Sequence, residues 1–355
     1  MTIVTPHATP QHLRTARSRL HERAHDRGHR AVFRVYSGPM RLAVGFVLVV
    51  GCGNVTATPD APVVDMPMID MFLGAHRHFV MDHQTVPANN AEAKANSLDV
   101  DGDGDTDNQF GNVLAALSGQ GFDVKMPTNT AVDQAAIVLL FDLQAPDLTT
   151  AAAAAFTSYF GTNPQPPACA DPSDTLCRHH LDGTATFALS PSSPLDPPLT
   201  GAIAAGVYQG GPGKLPIQVA PIGPTMPLEL VGARVKLSNL TDTTIGTGII
   251  AGGIPAVDVD SKIIPSAATA FEAMVTRDCS STTTPPSCGC IAGSQGSTAI
   301  GLFDTSPQDC RIVEDEVRNN ALIQALLAPD VTLEGEPALS FGFGFTAVRG
   351  EFTPP

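Results

Sequence analysis

Hydrophobic and polar positions alternate most strictly near the carboxyl end of the chain. There Leu339, Phe341, Phe343 and Phe345 are interleaved with Ser340, Gly342, Gly344 and Thr346. Successive side chains of a strand point to opposite faces, so this segment buries an aromatic face, and its glycines let another layer come close. Shorter apolar runs between Gly and Pro punctuation recur at 184–189, 203–208, 217–219, 228–237 and 247–254. The run IVLLFDL over 137–143 reads as a buried strand. Helical spacing is confined to a few places. Phe110, Val113, Leu114 and Leu117 recur at i, i+3, i+4 and i+7. Pro265 can open a helix that carries Phe271, Met274 and Val275 and ends near Cys279. A further helix over 313–327 starts with Glu314, Asp315 and Glu316, which suit the positive end of its dipole, and stops at Pro329. Thr130 to Asp133 reads as a capping box that opens a short helix. Together these elements predict a mainly β chain with a few helices (α+β), built as a β-sandwich or a partly closed barrel.

Composition strengthens that picture. The 31 Pro and 32 Gly favour turns and strands over long helices. The formal charge of −15 is unevenly spread. Eight of the 20 basic residues (Arg14, Arg17, Arg19, Arg23, Arg27, Arg30, Arg34 and Arg41) but only two of the 35 acidic ones (Glu22 and Asp26) precede Cys52, so the remainder carries 12 basic and 33 acidic residues. A surface at −21 repels phosphate backbones, which excludes nucleic acid as a partner and suits cations.

The amino-terminal region carries an address. From Met40 the chain reads MRLAVGFVLVVGCGN, a short basic start, an apolar run over 42–50, and Val49-Val50-Gly51-Cys52. The run is too short for the roughly 20 residues of a spanning helix. The segment resembles a bacterial lipoprotein signal peptide (40–51) with its lipobox. That resemblance implies cleavage before Cys52, lipidation of its thiol, and an exported protein anchored to the membrane. Gly53 after the cysteine implies sorting to the outer membrane or cell surface. Residues 1–39 read as a start placed too far upstream or an extended basic region, 52–70 as a Pro- and Asp-bearing tether, and 71–355 as a single β-rich domain.

Beyond Cys52, six cysteines remain, and an even number in an exported chain reads as disulfides. Cys169 and Cys177 flank one loop and are expected to pair. Cys279, Cys288, Cys290 and Cys310 would staple a surface excursion with their pairing open, except that Cys288 and Cys290 are too close to join each other easily. A four-cysteine zinc site is the alternative, although the spacing lacks the paired C-x2-C knuckles of zinc ribbons.

Chemistry concentrates in Asp99, Asp101, Asp103, Asp105 and Asp107, five carboxylates at alternate positions interrupted by Gly102 and Gly104. Their mutual repulsion is relieved by a hard cation that takes six to eight oxygen ligands. The spacing of loop 99–108 resembles the calcium loops of the EF-hand, dockerin and thrombospondin type 3 families. The resemblance implies side-chain ligation by Asp99, Asp101 and Asp103, a backbone carbonyl from Asp105, and Asp107 binding directly or through water. Phe110 replaces the bidentate Glu of the EF-hand, and 84–94 gives no helix signal before the loop, so a single structural calcium site is expected. His76, His78 and His83 form a second candidate, because His-x-His on a strand presents both rings to one face and can hold zinc or another transition metal.

Nucleophile and phosphate motifs fail in detail. Ser294 sits in AGSQG rather than G-x-S-x-G, and Lys214 in GGPGKL is followed by Leu215 where a P-loop needs Ser or Thr. The expected function is therefore a lipid-anchored, non-catalytic envelope protein for adhesion or binding of a protein or glycan partner, with calcium as its cofactor. The competing expectation is a lipid-anchored hydrolase using carboxylates such as Asp258, Glu314 or Asp315.

Overall fold

A computed structural model describes residues 74–280, 284–286 and 288–355. The signal segment, Cys52 and the tether lie outside the described residues. The elements in chain order are β1 (Ala75–Thr85), α1 (Asn90–Ala95), α2 (Gln109–Gly119), α3 (Met126–Asp133), β2 (Leu139–Ala145), β3 (Ala151–Gln165), β4 (Thr186–Leu189), β5 (Leu199–Ala204), β6 (Val207–Gly210), β7 (Leu215–Val219), β8 (Met226–Leu240) and β9 (Thr244–Pro255). There follow α4 (Ala256–Asp258), a π-helical turn (Val259–Ile263), α5 (Ile264–Asp278), α6 (Gln295–Phe303), α7 (Glu314–Asn319), α8 (Ala321–Leu326), β10 (Val331–Leu333) and β11 (Glu336–Arg349).

The mainly β reading holds, and the architecture is a barrel rather than a sandwich. Strands pair antiparallel in the order β1-β2-β3-β5-β6-β8-β9-β11, and β11 pairs back onto β1, from Phe79 opposite Arg349 to Thr85 opposite Gly344. A ring closed in this way leaves its eight strands without a free edge. Three short strands hang from it: β4 on β3, β7 on β8 and β10 on β11.

Aromatic side chains fill the ring, as expected for a barrel of about eight strands. Phe141 of β2 meets Phe156 of β3 at 5.2 Å and Phe345 of β11 at 4.8 Å between ring centroids. Tyr208 is fully buried, and its hydroxyl donates to the Leu199 carbonyl at 2.6 Å. The alternation read at the end of the chain is this inner face: Leu339, Phe341, Phe343 and Phe345 are each at most 2% exposed. Apolar packing continues into the helices, where Phe341 meets Phe110 of α2, and Phe122 meets Phe271 of α5, which stacks on Phe303 of α6.

Several local expectations are corrected. The run 203–208 is a hairpin, because Ala205 (φ 51°) and Gly206 (φ 76°) turn the chain between β5 and β6. Thr130 to Asp133 closes α3 instead of opening it; Asp123 accepts from the Lys125 and Met126 amides, and Pro127 fits the first turn. The helix expected over 313–327 breaks at Asn320, whose extended backbone ends α7 and whose side chain caps α8 at Leu322 and Ile323. Ser294 is spent as the N-cap of α6, accepting from Ser297.

All six cysteines beyond Cys52 form disulfides: Cys169–Cys177, Cys279–Cys290 and Cys288–Cys310. The pairing expected for Cys169 and Cys177 is present. The other two bonds tie the end of α5 and the loops on either side of α6, and leave those four cysteines no thiolate for zinc.

Burial also sets a pH dependence. His180 is fully buried beside Phe187, and desolvation pushes its imidazole down to about 4, with Arg178 and His179 adding to the shift while Asp133 and the Val132 backbone oppose it. Protons therefore prefer the unfolded chain, so this contribution is complete above about pH 6.5 and declines as pH falls toward 4. Urea unfolding should show a loss of roughly 2 kcal/mol from this residue between pH 7 and pH 5. The same pair of measurements on His180→Leu should show that much less pH dependence.

Candidate functional site

The aspartate loop joins two helices, because α1 precedes it and α2 follows. The expectation that no helix stands before the loop is thus corrected. Asn89 caps α1 by accepting from the Glu92 amide at 2.9 Å, while the Glu92 carboxylate accepts from the Ala88 amide at 3.0 Å. Glu92 thus holds the amide before the cap while Asn89 caps the helix, and this side-chain capping replaces apolar periodicity as the helix signal. The Ala88 amide, followed by Lys125, holds the Glu92 carboxyl below the usual range.

Within the loop, carboxylates fold the backbone around themselves. Asp99 accepts from the Gly102 and Gly104 amides at 2.6 and 3.1 Å, Asp101 from Asp103, and Asp103 from Asp105. Gly102 (φ 86°) and Gly104 (φ 99°) take the left-handed conformations that these turns need. Asp107 accepts from the Val100 amide at 2.9 Å, and an antiparallel bridge between Leu98 and Asp107 closes the base of the loop.

One oxygen each from Asp99, Asp101 and Asp107 lies within 4.8 Å of the others. These are three of the five predicted residues. Asp103 and Asp105 belong to the same exposed turn, but their carboxylates are not in this group. Partial burial of Asp107, followed by the charges of Asp101, Asp103 and Asp330, raises its carboxyl above the ordinary value although the Val100 amide opposes the shift. Such crowding of negative charge is what a divalent cation would relieve.

Asn108 fastens the loop to the barrel. Its side-chain oxygen accepts from the amides of Gly111 and Gly342, and its amide group donates to the carbonyls of Ala93 and Gly342. On β11 the pairing with β1 stops at Gly344, and the Asn108 amide takes over two residues further back. The approach is close enough that a Cβ on Gly342 would sit 2.5 Å from the Asn96 carbonyl oxygen. Beside the loop an open cleft of about 430 Å³ is lined by Asp99, Gln209, Arg234 and Lys236.

The histidine candidate is rearranged by the strand register. His76 and His78 share one face of β1, and His78 stands opposite Asp142 on β2. His83 is exposed on the far side of a register shift and lies outside this group. Asp142, absent from the predicted set, sits in an apolar run, and a carboxylate embedded there was the available signal. The carboxylates considered for hydrolysis hold helix surfaces: Asp258 pairs with Lys262 at 3.0 Å and Glu314 with Arg318 at 2.5 Å.

No family model, curated protein or solved structure matches the chain. Among the described residues no helix is long and apolar enough to cross a membrane.

Proposed function

We propose that the protein is an exported envelope lipoprotein, held by lipid on Cys52 at the outer membrane or cell surface, whose β-rich body carries one structural calcium site and binds a protein or glycan partner without turnover. The observation that carries the calcium reading is the convergence of Asp99, Asp101 and Asp107 within a turn already shaped by its own amide bonds. A cation there would link α1 to α2 and, through Asn108, fix both to β11. We assign the partner contact to the adjoining cleft, where Arg234 and Lys236 stand beside Asp99 and a polar ligand would meet charges of both signs. Calorimetric titration with calcium is the test: one equivalent should bind to the protein and none to Asp101→Ala. An absence of calcium heat in the unsubstituted protein would remove the reading.

The anchor makes a separate prediction. Cys52→Ala should move the protein from the membrane fraction to the soluble fraction and abolish incorporation of labelled palmitate. Retention in the membrane fraction with labelling intact would contradict lipidation at that residue.

A further inference from the structure

The outer face of the barrel at β1 and β2 carries polar groups that the fold leaves unsatisfied. Asp142 is 6% exposed, and its Oδ1 has no hydrogen-bond partner. The Nε2 atom of His78, 3.7 Å away, is also buried and without a hydrogen-bond partner. A buried polar atom left without its bond destabilises the fold, and here two complementary atoms face each other at a distance too long for a hydrogen bond. The other oxygen, Oδ2, accepts from Nδ1 of His76 at 2.8 Å.

We propose that His76, His78 and Asp142 form a zinc site, distinct from the aspartate loop, with three protein ligands and one position open to solvent. One ligand atom from each of the three lies within 4.8 Å of the other two. Ligand bonds to zinc run about 2.0–2.2 Å, so two atoms on one tetrahedral ion sit roughly 3.4 Å apart. The present 3.7 Å between His78 and Asp142 needs a contraction of only a few tenths of an ångström. Binding would exchange the His76 hydrogen bond for a metal bond, with the imidazole proton moving to its other nitrogen.

Surroundings favour a fixed triad. The ring of Phe352 lies 4.4 Å from that of His78 between centroids, and Thr157 stands opposite Asp142 on β3, so both inner ligands are hemmed in. The His76 side chain is 46% exposed, which puts the remaining coordination position toward water. Two imidazoles with one carboxylate suit zinc and similar transition metals, whereas calcium prefers an all-oxygen set. The two sites are also separated along the fold: the triad sits near the start of β1, while the aspartate loop follows its far end, about 30 Å along the strand.

The test is a zinc titration of the chelator-treated full chain with calcium saturating, followed by cobalt(II) as a visible probe. His76→Gln, Asp142→Asn and Asp101→Ala are measured alongside. One equivalent of zinc should depend on the triad, weakening at least about a hundredfold in Asp142→Asn and His76→Gln, because ligand loss exceeds the 10- to 100-fold cost of losing an outer partner. Cobalt should show the intense bands of low coordination number in the unsubstituted chain and lose them in the same two variants. Asp101→Ala should leave both signals intact. His76 is half-exposed, so its substitution decides the matter even where Asp142→Asn fails to fold. The proposal is overturned by absent zinc uptake, by uptake unchanged in His76→Gln, which marks the triad as a hydrogen-bonded pair only, or by uptake lost in Asp101→Ala, which assigns the ion to the loop.

Discussion

Replacing Asn108 with alanine should lower stability by about 4 kcal/mol, an unusually large effect for one polar side chain. Three losses combine. The N-cap of α2 disappears with the bond to Gly111, at a cost of about 1 kcal/mol. The Gly342 amide is left without its acceptor, and the carbonyls of Gly342 and Ala93 lose their donor, at a site that water does not reach easily. Such buried groups cost roughly 1–3 kcal/mol each, less where they share the penalty. Asn108→Asp separates the two roles. Aspartate caps helices as well as asparagine does, but it cannot donate to the two carbonyls and puts its charge against them. We therefore expect Asn108→Asp to rescue little. Chemical unfolding checks this directly, and recovery of most of the lost stability in the aspartate variant would reduce Asn108 to an ordinary cap.

The second large effect concerns Cys288–Cys310, which joins residues 22 apart and has Cys288 fully buried. By the chain-entropy account, a closed loop of that length stabilises the fold by about 3 kcal/mol through its restriction of the unfolded chain. Converting both cysteines to alanine should lower the melting temperature by roughly 4–6 °C. Cys169–Cys177 closes a loop of only 8 residues on the surface, so its removal should cost less. Parallel melts of the two double variants give the ordering; a greater loss from the Cys169–Cys177 pair would contradict it.

What could be read in the chain beforehand depended on whether a local signal determined the outcome. The alternation at Leu339 to Thr346 was legible because one face of β11 is aromatic core, and the spacing of α2 because Phe110, Val113, Leu114 and Leu117 are all buried. β3 was not, since Ala151 to Ala155 has no β-branched residue; Ala154 and Ala155 are nevertheless buried, so tertiary packing decides there. The hairpin at 203–208 was hidden because Ala205 occupies a left-handed position that usually advertises itself with Gly or Asn. α1 lacked apolar periodicity, but Asn89 and Glu92 carried its capping signal. Barrel closure joins the first described strand to the last, a pairing for which no local pattern exists.

The candidate sites divide in the same way. Five aspartates within nine residues declare a loop by themselves. The meeting of His76 and His78 with Asp142 depends on the register of β1 against β2 and places a residue from an apolar run opposite a polar strand. His83 was close in sequence and is remote in arrangement because the register shifts between Met81 and His83.

The calcium site is tested by thermal unfolding of the protein with disulfides intact, in calcium and then in excess chelator. An ion that binds only the folded state adds RT ln(1 + [L]/Kd), about 2.7 kcal/mol at a hundredfold excess over Kd. The melting temperature should be higher by roughly 4–5 °C in calcium, with no such difference in Asp101→Ala. Superimposable melts of the unsubstituted protein in calcium and in chelator would contradict it and leave the aspartate run as an acidic turn.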